Sequence, residues 1–334
     1  MRILSIDGGG IRGIIPGQVL VALEQKIQQL AKDPKLRIAD VFDLIAGTST
    51  GGILTCLYLC PGPRGKRPRF TAAQAVDLYL QNGDDIFDVS IFHRIFSAGG
   101  TLEETYSAEP LERVLKEYFG DLRLGQLLKP CLITSYDITR RAAKFFNTAD
   151  VAEEGAGRDF YVRDIARATS AAPTYFEPAN IRALDMKVYP LIDGGVFANN
   201  PALCAYVEGF KLDPKLDITD MKVLSLGTGA AEKPYEYSQA RDWGKLGWAL
   251  PVLDIMMSGV AETVDFQLRT LFAAAKRPEQ YLRLQLDLAD YPNVDSAMDN
   301  ASERNMTALE SAGKDLATTA DAELTKFAKL LLQG

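Results

Sequence analysis

Ser49 and Asp193 are the two residues whose types and settings could do chemistry together. Ser49 lies in Gly47-Thr48-Ser49-Thr50-Gly51, a G-x-S-x-G run between the apolar stretch Val41 to Ala46 and the apolar start of a helix. Strand, sharp turn and helix in that order are what a nucleophile elbow requires. Gly47 and Gly51 lack Cβ atoms, so strand and helix can pack closely while the serine Oγ is held out at the sheet's edge. The N-terminus of that helix adds N–H groups and a positive dipole end, both suited to an oxyanion. A serine hydroxyl is a poor nucleophile until a base takes its proton. The chain has 1 histidine, His93, and it falls inside an Ile/Phe-rich stripe rather than after a strand. Asp193 is the better partner: it ends the apolar stretch Val188 to Ile192 and precedes Gly194 and Gly195, which permit close approach of another loop. The residues therefore point to a Ser49–Asp193 dyad. The competing reading is a Gly-rich turn that only closes a buried βα unit.

A second Gly-rich turn, Asp7-Gly8-Gly9-Gly10-Ile11-Arg12-Gly13, follows the short strand Arg2 to Ile6 and precedes a helix from Pro16 to Ala31. Such a turn makes a nest of converging N–H groups, to which Arg12 adds positive charge. Gly8 to Gly13 also fits G-x-G-x-x-G, so a nucleotide-binding module is the alternative from another class. A dinucleotide site expects an acidic residue at the end of the next strand, about 20 residues on. Here Asp33 and Asp40 precede that strand, which ends in the serine turn instead. An oxyanion hole serving Ser49 fits better. Two turns that follow adjacent parallel strands open on the same carboxyl edge of the sheet, where such folds place their sites.

The elements that must position these residues alternate along the chain. Further strands are expected at Cys131 to Ile138, Lys144 to Asn147, Lys222 to Leu226 and Tyr281 to Leu286. Helices are expected at Ala72 to Gln81, Glu109 to Phe119, Tyr161 to Ala171, Pro201 to Lys211, Ala249 to Ala275 and Ser302 to Leu332. This alternation predicts an α/β fold of three layers, α/β/α, around a largely parallel sheet. No repeat or domain break interrupts it, so residues 1–334 read as one domain, with the motifs within 2–229 and a mostly helical part over 230–334. The stripe from Ile86 to Phe96 reads as core or as a lid, with Gly99-Gly100 as its hinge.

Composition removes several functions. A net charge of −7 argues against a nucleic-acid partner. The four cysteines have no CxxC spacing and no neighbouring histidine, so buried free thiols are expected rather than a metal site. No cofactor is called for. The start of the chain lacks a basic segment followed by an apolar core, and no run reaches the 18 or more apolar residues of a membrane span. A cytoplasmic protein acting at a membrane surface is expected, and the basic loop with Arg64, Lys66, Arg67 and Arg69 offers a contact for anionic lipid.

Four blocks together carry a resemblance. DGGGIRG (Asp7–Gly13), GTSTGG (Gly47–Gly52), ATSAAPTYFEP (Ala168–Pro178) and DGGVFANNP (Asp193–Pro201) follow one another in the order found in the patatin-like phospholipase family. The resemblance implies a patatin-like fold and a lipid acyl hydrolase, with Ser49 as nucleophile and Asp193 as base. It also implies an oxyanion hole from the N–H groups of Gly9, Gly10 and Thr50. Gly8, Arg12, Gly13, Gly47, Gly51, Gly194 and Gly195 would support these, and the third block would line the site as scaffold. Acyl lipid is then the substrate, met at a transient membrane surface. Some bacterial members are switched on by a cyclic dinucleotide in antiphage defence, and the resemblance allows such an activator here.

Overall fold

The computed structural model describes residues 1–86, 107–230 and 234–333. Beyond Ile86, the Ile/Phe stripe lies outside the described residues, and so do His93 and Gly99-Gly100. Strand β1 (Arg2–Ile6) passes through a 3₁₀ turn (Gly10–Gly13) into helix α1 (Ile14–Ala31). Strand β2 (Leu44–Thr48) runs through Ser49 directly into α2 (Thr50–Leu59). Then come α3 (Ala72–Ile86), α4 (Glu109–Phe119), β3 (Cys131–Asp137), β4 (Ala142–Asn147) and α5 (Val162–Thr169). Strands β5 (Ala179–Arg182) and β6 (Val188–Asp193) lead to α6 (Ala202–Leu212) and β7 (Lys222–Leu226). The chain ends with α7 (Ala249–Ala274), β8 (Tyr281–Leu284), α8 (Glu303–Thr319) and α9 (Asp321–Leu332).

Two boundaries differ from expectation for local reasons. Val41 belongs to a short helix, Ile38–Val41, whose Asp40 carboxylate accepts from the Arg37 N–H at 2.9 Å, so β2 starts only at Leu44. The C-terminal helix is two helices that meet at Ala320.

The sheet has the order β5-β6-β3-β2-β1-β7-β8, with β4 also paired to β3. β1, β2, β3, β7 and β8 are mutually parallel, and β4, β5 and β6 join antiparallel. The alternating side chains of the parallel strands feed two apolar layers, as a sheet covered on both faces requires. Ile3, Leu44, Ala46, Leu132 and Val223 meet Ala205 and Tyr206 of α6 and Val264, Leu268 and Phe272 of α7. Leu4, Ile6, Ile45, Ile133 and Leu224 face the other way, into the larger layer built from α1 to α5, α8 and α9. Helix α1 is the hub of that layer and packs on α3, α8 and α9.

One detail of register places the site. β4 takes one edge of β3 along Leu132 to Asp137. The other edge is shared, because β2 pairs with Ile133 and Thr134 through Gly47 and Thr48, and β6 pairs with Ser135 through Asp193. β2 runs outward and β6 runs inward. The two strands therefore meet head on, and the end of each presents its last residue to the other. Asp193 is the last residue of β6, as Ser49 directly follows β2, but the two strands run in opposite directions.

The basic loop is partly spent on the protein itself. Arg67 bonds Asp40 at 2.9 Å, and Arg69 donates to the Tyr118 carbonyl at 2.8 Å and lies over the Phe70 ring. Cys56, Cys60 and Cys131 are free and buried, and Cys204 is free and half-buried.

Candidate active site

Ser49 sits at φ 55°, ψ −122°, a left-handed conformation that costs a non-glycine residue about 1–3 kcal/mol. The elbow holds it there. A Cβ on Gly47 would lie 2.1 Å from the Gly51 carbonyl oxygen, and one on Gly51 would lie 2.1 Å from that of Ile6, so only glycine lets β1, β2 and α2 approach this closely. The Ser49 N–H donates to Thr169 Oγ1 at 2.9 Å, and Thr169 in turn donates to the Thr134 carbonyl at 2.7 Å. The third sequence block thus ties the Ser49 backbone to β3.

Asp193 is buried, and its own N–H donates to the Ala171 carbonyl of the same block at 2.9 Å. Oδ1 accepts from the Gly195 N–H at 2.7 Å. Gly194 lies against Thr134, where a Cβ would come within 2.1 Å of Oγ1. Burial pushes the Asp193 carboxyl up to about 7, although the Ser49 hydroxyl and the Gly195 N–H both favour its charged form. A carboxylate poised near neutrality is a far better proton acceptor than one at its ordinary value.

Gly9, Gly10, Ser49, Thr50 and Asp193 border one pocket. In the N-terminal turn, the N–H groups of Gly8, Ile11 and Arg12 are already bonded, to the carbonyls of Asn199, Met298 and Gly9. Those of Gly9 and Gly10 have no acceptor among the described residues, nor does that of Thr50. Such a turn has two donors to offer an oxyanion, not the full nest that a pyrophosphate needs. Arg12 fixes one of them. Its N–H and Nε reach the Gly9 carbonyl at 3.2 and 3.4 Å, and the planar trans peptide then turns the Gly10 N–H the opposite way. Gly10 itself has φ +59° and faces the Met298 carbonyl, where a Cβ would sit 2.1 Å away. Gly13 closes the 3₁₀ turn.

Away from these groups the pocket is mostly apolar, walled by Ile53, Leu78, Leu111, Pro173, Phe176, Val196, Leu253, Met257 and Met298, with Tyr79, Ser170 and Tyr175 adding hydroxyls. It suits a hydrocarbon chain. Leu253 and Met257 come from α7, and Met298 precedes α8. Sequence reasoning did not anticipate that the C-terminal third reaches the site, and no motif marks those residues. Among the described residues, no group of three or more His, Cys, Asp or Glu side chains is placed to hold a metal ion.

The family model for patatin-like phospholipases matches residues 4–206, which hold all four blocks. The chain belongs to the patatin-like phospholipase family. Relatives along nearly its whole length agree. Patatin-2-Kuras 4 of Solanum tuberosum is 35% identical, over 99% of this chain and 92% of that protein. Patatin-like protein 2 of Arabidopsis thaliana is 36% identical, over 95% and 82%. Patatin-like protein 4 of the same plant is 32% identical, over 99% and 92%. The solved structure of VipD from Legionella pneumophila is more distant, at 11% identity and a TM-score of 0.39, over 95% of this chain and 66% of that one. Membership of the patatin-like family supports a lipid acyl hydrolase activity.

Proposed function

We propose that this patatin-like protein hydrolyses carboxylic esters of membrane phospholipids through an acyl-enzyme on Ser49, with Asp193 as the base. The observation that supports this most is the pocket itself: Ser49, Asp193, Gly9, Gly10 and Thr50 line one cavity whose other walls are mostly apolar. The acyl chain lies along the apolar walls. Asp193 accepts the Ser49 proton as Oγ attacks the ester carbonyl, and the oxyanion is met by the three N–H groups, each worth roughly 10²–10³ in rate. The protonated Asp193 returns its proton to the departing alcohol oxygen, so the lysolipid leaves neutral at that atom. Water, deprotonated by the same carboxylate, then releases the fatty acid and restores Ser49. No helix of the described residues is long and apolar enough to cross a membrane.

Fatty-acid release from phospholipid vesicles by the wild type, Ser49→Ala and Asp193→Asn tests this. Release by the wild type that each substitution abolishes is the expected result. Equal release by Ser49→Ala would overturn the assignment. Repeating the assay with cyclic dinucleotides separates a constitutive lipase from a gated one, and tight nucleotide binding without hydrolysis would favour the binding-module alternative.

A further inference from the structure

The Gly9 N–H has an orienting group of its own, and it comes from outside the family-matched residues. Thr228 is buried in the turn Gly227-Thr228-Gly229 that follows β7, and its Oγ1 donates to the Gly8 carbonyl at 2.8 Å. The Gly8 carbonyl and the Gly9 N–H belong to one peptide plane and point opposite ways. A carbonyl held on the side of Thr228 therefore turns the Gly9 N–H away from Thr228, and Gly9 lines the same pocket as Ser49. Thr228 also closes on the loop sterically: a Cβ on Gly9 would lie 2.2 Å from Thr228 Oγ1.

The turn that carries the hydroxyl is held at both flanking glycines. Gly227 N–H donates to the Leu284 carbonyl at 2.9 Å, and Gly229 N–H donates to Gln285 Oε1 at 2.8 Å. The turn is thus pinned to β8 and the residue after it. Arg12 does for the Gly9–Gly10 peptide what Thr228 does for the Gly8–Gly9 peptide, and both oxyanion donors are aimed from behind.

We propose that Thr228 is a positioning residue for the oxyanion hole, which sets the direction of the Gly9 N–H by holding the Gly8 carbonyl. The inference rests on the reading of Ser49 as an acylated nucleophile. A donor turned out of line contributes little, since oxyanion stabilisation depends on pre-set geometry.

The test compares wild type, Thr228→Val and Thr228→Ser on a soluble p-nitrophenyl acyl ester. Reactive sites are counted by intact mass after labelling to completion with a long-chain fluorophosphonate. Thr228→Val keeps the shape and loses the hydroxyl. Its kcat per labelled site should fall by between about 10- and 100-fold, with KM within about twofold, because a misaimed donor forfeits part of the 10²–10³ that one donor supplies. Thr228→Ser restores the hydroxyl and should recover most of the rate. Affinity for a long-chain trifluoromethyl ketone, whose adduct with a serine carries an oxyanion, should fall with kcat in Thr228→Val. An unchanged kcat per site in Thr228→Val overturns the proposal. So does a loss confined to the number of labelled sites, or a Thr228→Ser variant as slow as Thr228→Val, which would assign the role to packing of the methyl group. If valine blocks folding, Thr228→Ala carries the same reading. A wild type that neither hydrolyses the ester nor takes the label overturns the function and this inference together; an active wild type with an equally active Thr228→Val overturns this inference alone.

Discussion

At the scale of single residues, the features that make Asp193 useful also make it costly. Burial lifts its carboxyl to about 7, which matches a base to neutral pH but means that ionising it in the folded state is penalised. The sign follows from linkage. Between the ordinary value of 3.8 and about 7 the folded protein holds a proton that the unfolded chain has released, so stability from this group falls as pH rises through that window. Below the window its contribution is fully present, and above it the loss is complete. Asp193→Asn removes the ionisation. The variant should therefore be more stable than wild type at about pH 8, by at most roughly 4 kcal/mol from the size of the pKa change, with the gain shrinking toward about pH 4. Thermal unfolding of both proteins across that range checks it; a wild type that is the more stable at high pH would mean that Asp193 is not strained by burial. Ser49 carries its own cost in the left-handed region, and its sequence signature was legible for that reason: a serine held there needs glycines at both contacts. Asp193 was legible as the polar end of an apolar strand. Thr228 was not, since a threonine between two glycines reads as an ordinary turn until the strand pairing puts it under Gly8.

At the scale of elements, the site is an agreement among strand ends, and long-range pairing decides who meets whom. A single sequence shows that β2 and β6 are strands, but not that they share one edge of β3 and collide end to end. Nor does it show that β8 lies beside β7, two strands from β1. That arrangement lets Arg283 of β8 reach Asp7, at the end of β1, with both guanidinium ends at 2.9 and 2.6 Å, and Ser225 of β7 at 2.9 Å. Both partners are almost wholly buried. Burial acts to lower the Arg283 pKa, and Asp7, with Tyr281 and Asp265, more than restores it, so the guanidinium stays charged. Removing one member of such a pair strands the other's charge in the interior, at about 3–5 kcal/mol. Arg283→Gln should lose about that much stability in urea unfolding. The double variant Asp7→Asn with Arg283→Gln should recover a large part of it, because neither charge remains. A double variant no more stable than Arg283→Gln would show that the pair acts through its hydrogen bonds and not through its charges.

At the scale of the molecule, the blocks that name the family end before the structure that completes the site does. Leu253, Met257 and Met298 wall the pocket, β8 completes the sheet, and α8 and α9 cover α1 with Leu309, Leu324, Phe327 and Leu331, all fully buried. Without residues 231–334 those apolar surfaces would face water, at about 25 cal/mol for each Å² of apolar area exposed. We therefore expect the 1–230 fragment, motifs intact, to show no cooperative unfolding transition and to aggregate on expression. A fragment that unfolds cooperatively and retains esterase activity would instead make the C-terminal part a separable unit. The alternation of strands and helices was enough to predict the three layers, because periodicity is local. The reach of the last third into the pocket was not predictable, because it depends on packing between residues more than 200 positions apart, as with Gly10 and Met298.

The most direct test of the Ser49–Asp193 account is kcat/KM for a soluble acyl ester in wild type and Asp193→Asn from about pH 5 to about pH 9. The wild-type profile should rise with an acid limb near 7, the value to which burial lifts Asp193. The variant should lie lower by roughly 10²–10⁴, the contribution of a positioned base, and should lack that limb. A limb near the ordinary carboxylate value of about 4, or an Asp193→Asn enzyme within about tenfold of wild type, would contradict the account.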